Sequence, residues 1–200
     1  MEILGLSKRV IKGIEEIEAR AWSSFYHAAS AKKKDELGIH THANDFGYTT
    51  LAAKIDELAD NRSIAISRSP DRADLERIIE QFQTAGSARG FIQIRPQLLT
   101  AGSNRILADF GLSQYNNWVK LIRDTSDVPD VLTDLQIRQI DTSGKTDFAA
   151  ILVEAFNWPA YMQEWLACPV GKPNWHHYMV FDGENRVATG AAYIEGESCL

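Results

Sequence analysis

Only two cysteines, Cys168 and Cys199, occur in 200 residues, too few and too far apart for a disulfide framework or a zinc site. A reducing cytoplasm is therefore the default compartment. No apolar run approaches the ~18 residues that a membrane span needs. The first twenty residues carry Glu2, Lys8, Arg9 and Lys12 and lack the apolar core of a signal peptide, so no membrane partner is expected. Basic stripes are also missing. The net charge is −6, which argues against a nucleic-acid partner. The one basic run, Lys32-Lys33-Lys34, is followed at once by Asp35 and Glu36 and reads as a solvated face or loop. What remains is an ordinary globular composition, 44% hydrophobic and 24% charged, long enough for one large domain or two small ones.

Val10, Ile14, Ile17 and Ala21 recur at helical spacing and predict an amphipathic helix to about residue 29. Residues 32–44 read as a loop or frayed end. Residues 48–59 fit a helix by Leu51, Ile55 and Leu58, and a strand by Tyr48 to Leu51. Residues 63–67 alternate as a short strand. Ser69-Pro70 then reads as a helix start, with Ser69 as the cap. Leu75, Ile78, Ile79 and Phe82 give the clearest helical stripe of the chain, and Gly86 ends it. A strand is predicted over 91–94, a helix over 98–110 capped by Gly111, and a strand over 118–122. Residues 124–133, with Thr125, Ser126, Asp127, Pro129 and Asp130, have the composition of a linker. The domain boundary is placed there, between 1–128 and 129–200.

Beyond it, Leu135, Ile137 and Ile140 mark a strand, and Phe148, Ile151, Leu152, Ala155 and Phe156 mark a helix. A short helix over 159–166 and a stiff loop at Pro169, Gly171 and Pro173 follow. Strands over 178–181 and 187–194 are joined at Asp182-Gly183-Glu184-Asn185, a strong hairpin signal. Both strands are apolar on successive residues, which predicts a central position covered on both faces. A fourth strand starts at Glu197-Ser198-Cys199-Leu200.

The opening Thr133-Asp134-Leu135-Gln136-Ile137-Arg138, the helix from Phe148 to Trp158, and Met179-Val180-Phe181-Asp182-Gly183 followed by Arg186-Val187-Ala188-Thr189-Gly190-Ala191-Ala192 resemble the first half of an N-acetyltransferase of the GNAT superfamily. Residues 103–112 (S-N-R-I-L-A-D-F-G-L) with Trp118-Val119-Lys120-Leu121 are similar to the closing helix and strand of that domain, with Leu112 where Phe is usual. The resemblance implies an α/β protein of two GNAT-like lobes with mixed sheets. The lobe over 1–128 is degenerate, and the lobe over 129–200 is the incomplete first half of a second domain.

The activity so implied is acetyl transfer from acetyl-CoA to an amine, on a small molecule or a peptide, with no metal. Such proteins hold the cofactor pyrophosphate on a loop of the pattern R/Q-x-x-G-x-G/A at a helix N-terminus, where close backbone approach and free N–H groups bind the anion. In the first lobe the matching place is Ser67-Arg68-Ser69-Pro70-Asp71-Arg72-Ala73-Asp74. It has no glycine, one donor is lost at Pro70, and Asp71 and Asp74 repel phosphate, so this lobe is expected to bind no acetyl-CoA. In the second lobe the loop is expected beyond the fourth strand, outside the 200 residues, and these residues alone are expected to be inactive. The resemblance places the general base on Glu195 or Glu197, where apolar walls would raise a carboxylate's pKa. It places an acceptor wall at Phe156, Trp158 and Tyr161, with His176 facing the cleft. A homodimer sharing the last, unpartnered strand is compatible with this reading, and a non-catalytic GNAT-like binding or regulatory module is its alternative.

Other groups of chemical interest carry less. His40-Thr41-His42 with Asp45 has metal-ligand types but too few of them. His176 and His177 alternate along a strand and must face opposite sides. Nothing marks a base or an oxyanion site for Cys168 or Cys199.

Overall fold

A computed structural model describes residues 7–55, 61–123, 126–127 and 132–200. The expected boundary at 128/129 lies outside the described residues, as do 56–59 of the ambiguous segment. Among the described residues the chain is a mixed α/β protein with two four-stranded sheets. Helices α1 (Lys8–His27) and α2 (Ala31–Leu37) come first, then strands β1 (Ile39–Asn44), β2 (Gly47–Ala52) and β3 (Arg62–Ala65). They are followed by α3 (Arg72–Ala85), β4 (Phe91–Ile94) and α4 (Ala101–Asp109). The first sheet runs in the order β1-β2-β3-β4, antiparallel except for the parallel pair β3/β4.

Residues 32–44, expected to be a loop, form α2 and β1 instead. Ser30 caps α2 by accepting from the Lys33 N–H at 3.3 Å, and Gly38 ends it in the left-handed region at φ 62°. Leu37 and Ile39 are buried, so tertiary packing fixes a segment whose local apolar signal is weak. Lys33 departs from the expected solvated face. It is buried and pairs with Glu36 at 2.7 Å and with Glu164 at 2.9 Å. The ambiguous 48–52 resolves as strand β2.

Helix α3 begins two residues later than expected. Its cap is Asp71, not Ser69: Asp71 accepts from the Asp74 N–H at 3.0 Å while Asp74 accepts from the Asp71 N–H at 3.0 Å. Asp71→Ala is expected to cost about 1 kcal/mol, read as a lower urea midpoint, with Asp71→Ser recovering most of it. An unchanged midpoint in the alanine variant would show that the cap contributes nothing.

Residues 118–122 form no strand. Strand pairing needs a neighbour, and this stretch finds none among the described residues; Val119 and Leu121 stay exposed. It is anchored by Lys120, whose Nζ lies 2.5 Å from Glu15 and also contacts Glu18, both buried on α1.

The rest of the chain supplies β5 (Gln136–Ile140), α5 (Lys145–Ala155), a 3-10 turn (Ala160–Met162), α6 (Gln163–Leu166), β6 (Trp175–Asp182), β7 (Asn185–Glu195) and β8 (Ser198–Cys199). This second sheet is antiparallel throughout in the order β5-β6-β7-β8. The hairpin turns where the Asp-Gly signal placed it, with Gly183 at φ 59°. Strands β6 and β7 are central, yet they are not covered on both faces. Along β7 most side chains are exposed, Val187 among them, and α1, α5 and α6 cover the sheet on the side of His177 and Tyr193.

The first sheet is covered on both sides. Ile64 packs with Ala19 of α1, and its neighbour Ala65 packs on the opposite side with Leu75 and Ile78 of α3, as strand alternation requires. One hydrophobic cluster then joins the two ends of the chain: Tyr26, Leu37, Ile39 and Ile55 pack with Ala149, Met162, Trp165 and Leu166. No helix among the described residues is long and apolar enough to cross a membrane.

Candidate functional site

Helix α1 carries Trp22, Phe25 and Tyr26 on its last turns, a continuation of the apolar stripe read from Val10 to Ala21. Their i, i+3, i+4 spacing puts three rings on one face. Phe25 and Tyr26 meet Trp165 of α6 with centroids 4.9 and 5.2 Å apart. Strand β6 turns Trp175, His177 and Met179 toward the helices by its two-residue period. Trp175 donates from Nε1 to Ser24 Oγ of α1 at 3.0 Å and packs edge-on against Tyr193 of β7 at 5.1 Å. Between these elements lies a cavity of about 210 Å³. Its walls include Trp22, Phe25, Phe148, Trp158, Trp165 and Trp175.

One titratable side chain lines this space. His177 is 2% exposed, stands edge-on to Phe148 at 4.8 Å and lies over Trp175 at 5.6 Å. Burial, with a smaller contribution from His176, lowers its pKa from 6.5 to about 4. At neutral pH it is an uncharged imidazole, able to donate through one nitrogen and accept through the other. Trp165 Nε1 is buried beside the cavity with no hydrogen-bond partner.

The residues singled out from the sequence fall in several places. Trp158 lines the cavity. Phe156 stacks on Trp158 at 4.7 Å but is 61% exposed, and Tyr161 is half-exposed. His176 lies on the opposite face of the sheet, its Nδ1 3.3 Å from Gln139 Nε2 of β5, so His177 is the histidine at the cavity. Glu195 is half-buried at the end of β7. It accepts from Arg20 at 2.9 Å and from the Tyr193 hydroxyl at 3.2 Å. Glu197 sits exposed in the turn between β7 and β8.

Missed by sequence reasoning were Trp22, Phe25, Trp165 and Trp175, and of the paired histidines His176 was expected at the place where His177 stands. The aromatic density of residues 22–26 was the available signal.

The place that would match a pyrophosphate loop, residues 67–74, is a closed local network. Burial pushes Asp74 up, but the guanidinium of Arg68 and the Asp71 N–H outweigh it and hold this carboxyl below its usual range. Arg72 is turned away to Asp109 at 2.6 Å. The Asp71 and Asp74 N–H groups and the guanidinium groups of Arg68 and Arg72 are thus engaged by side chains, and this site does not fit a pyrophosphate.

On β1, His40 and His42 stack at 6.5 Å, and no group of three or more metal-ligating residues occurs among the described residues. Comparison with family models, with curated proteins and with solved structures finds no match.

Proposed function

We propose that the chain belongs to an acetyl-CoA-dependent N-acetyltransferase of the GNAT type and supplies the side that receives the amine. The observation that carries this reading is the second sheet. Its element order, strand, two helices, hairpin and closing strand, with neighbours in sequential antiparallel order, is the order that the resemblance implies. The first sheet, with a helix between its two parallel strands and α4 after them, supports a degenerate first lobe. The apolar part of the acceptor would lie in the aromatic cavity, with Trp158 at its wall and Phe156 outside it, and its ammonium group would stay outside in water.

In such a transfer the amine nitrogen bonds to the acyl carbon, the carbon–sulfur bond breaks, and the ammonium proton leaves to a base. Glu195 and Glu197 remain the proposed bases. Glu195 would have to exchange its bond to Arg20 for the amine, so Arg20 would hold it in place between turnovers. The described residues offer no cradle for the cofactor, and no cofactor-binding residue is proposed among them.

The test is thiol release from acetyl-CoA, with a panel of small and peptide amines, by the protein expressed from its full reading frame. Release that depends on one amine class is expected. Its absence across the panel, from folded protein, overturns the reading.

A second reading is a non-catalytic binding module of the same fold. It is favoured by the self-capped start of α3, where Asp71, Asp74 and Arg68 satisfy one another. Amine binding without thiol release would select it.

A further inference from the structure

We propose that the cavity between α1, α5, α6 and β6 is a binding site for a small neutral aromatic molecule, one or two fused rings bearing one hydrogen-bonding group. The inference stands apart from acyl transfer, since it concerns equilibrium binding to the 200 residues themselves.

Size comes first. The cavity holds about 210 Å³. An apolar cavity of about 150 Å³ accepts benzene, so a substituted or bicyclic ring fits here. Shape comes second. Trp22, Phe25, Trp158, Trp165 and Trp175 offer ring faces and edges from four separate parts of the chain, a setting that favours a flat guest by offset or edge contacts.

Polarity comes third and narrows the class. One polar side chain lines this otherwise apolar place. The ring of His177, 2% exposed and at the cavity wall, makes no hydrogen bond among the described residues. Buried polar groups are ordinarily satisfied, and each orphan is costly, so a guest with a hydroxyl or ring N–H would complete what the fold leaves open.

Charge comes last. Neither Asp nor Glu lines the cavity, and an ammonium stripped of water without a carboxylate is strongly disfavoured. A neutral guest follows. The way in is marked by Ala191, which is exposed, lines the cavity and stands opposite His177 in the β6/β7 ladder.

The experiment is calorimetric titration of the 200-residue chain with indole, with 4-methylphenol and with benzylammonium. Saturable one-site binding of the two neutral rings is expected, at least about tenfold tighter than benzylammonium, a difference of ~1.4 kcal/mol. Ala191→Phe places a ring at the entrance on an exposed strand position, and should weaken both neutral ligands at least about tenfold while leaving the thermal melt in place. His177→Phe keeps a flat side chain but removes the polar partner. It should narrow the preference for 4-methylphenol over toluene.

Should either variant fail to fold, intermolecular nuclear Overhauser contacts from 4-methylphenol to the His177 ring protons in the wild-type chain decide the same point. No binding of neutral rings, tighter binding of benzylammonium, undiminished binding by folded Ala191→Phe, or ligand contacts that exclude His177 would each overturn the proposal.

Discussion

Trp165→Ala is expected to lower the stability of the protein by about 3–5 kcal/mol, the range for deleting a large aromatic side chain from a packed core. Trp165 is 1% exposed and packs in one cluster with Phe25 and Tyr26 of α1 and with Met162 and Leu166. It therefore joins elements that precede residue 30 to elements that follow residue 145. The loss should appear alike in probes of both sheets during urea unfolding, as one transition at a lower midpoint.

Trp165→Phe should cost far less, under about 1.5 kcal/mol, because it keeps most of the ring and removes an indole N–H that has no partner. A loss below about 1 kcal/mol in the alanine variant, or two separated transitions in the wild type, would contradict a shared core.

A second large effect is expected from pH. His177 is buried neutral, with its pKa lowered from 6.5 to about 4. Between those two values the unfolded chain binds a proton at this site that the folded chain refuses. Stability must therefore fall as pH is lowered through this window, and it is fully present above 6.5. The full effect is about 3 kcal/mol between pH 7 and pH 4.

Urea unfolding at the two pH values checks this. His177→Phe should lose about 3 kcal/mol less than the wild type on acidification. His42, whose pKa burial and His40 also lower, contributes in the same direction in both proteins and cancels in the comparison. Equal acid sensitivity of the two proteins would mean that His177 is protonated with little penalty in the fold.

Much of this architecture is legible in the residues. Leu75, Ile78, Ile79 and Phe82 announce α3 because a helix shows one face every three or four positions. Asp182-Gly183 announces the hairpin because that turn needs a residue at positive φ. The opposed faces of His176 and His177 follow from the strand period alone.

Other elements depend on distant partners. Helix α2 has only Leu37 as an apolar anchor, and its remaining fixed points are Ser30, Gly38 and the pairing of Lys33 with Glu164, well over a hundred residues away. Residues 118–122 have the composition of a strand, but a strand exists only beside another, and Lys120 is instead drawn to Glu15 and Glu18. The cavity is of the same kind. Trp158 could be read from an aromatic cluster near a helix end, whereas its opposing wall comes from α1, and only the packed structure brings Trp22 and Phe25 to it.

The central claim is that this aromatic cavity serves an acyl transfer. The most direct measurement is mass-spectrometric detection of N-acetylated product from acetyl-CoA and an amine panel, comparing the protein from its full reading frame with its Trp158→Ala variant. The account predicts acetylated amine from the wild type and a kcat/KM at least about tenfold lower in the variant, a loss of ~1.4 kcal/mol in transition-state stabilisation. Product formed equally well by both proteins would separate the cavity from the chemistry, and no acetylated amine from either would contradict the transferase itself.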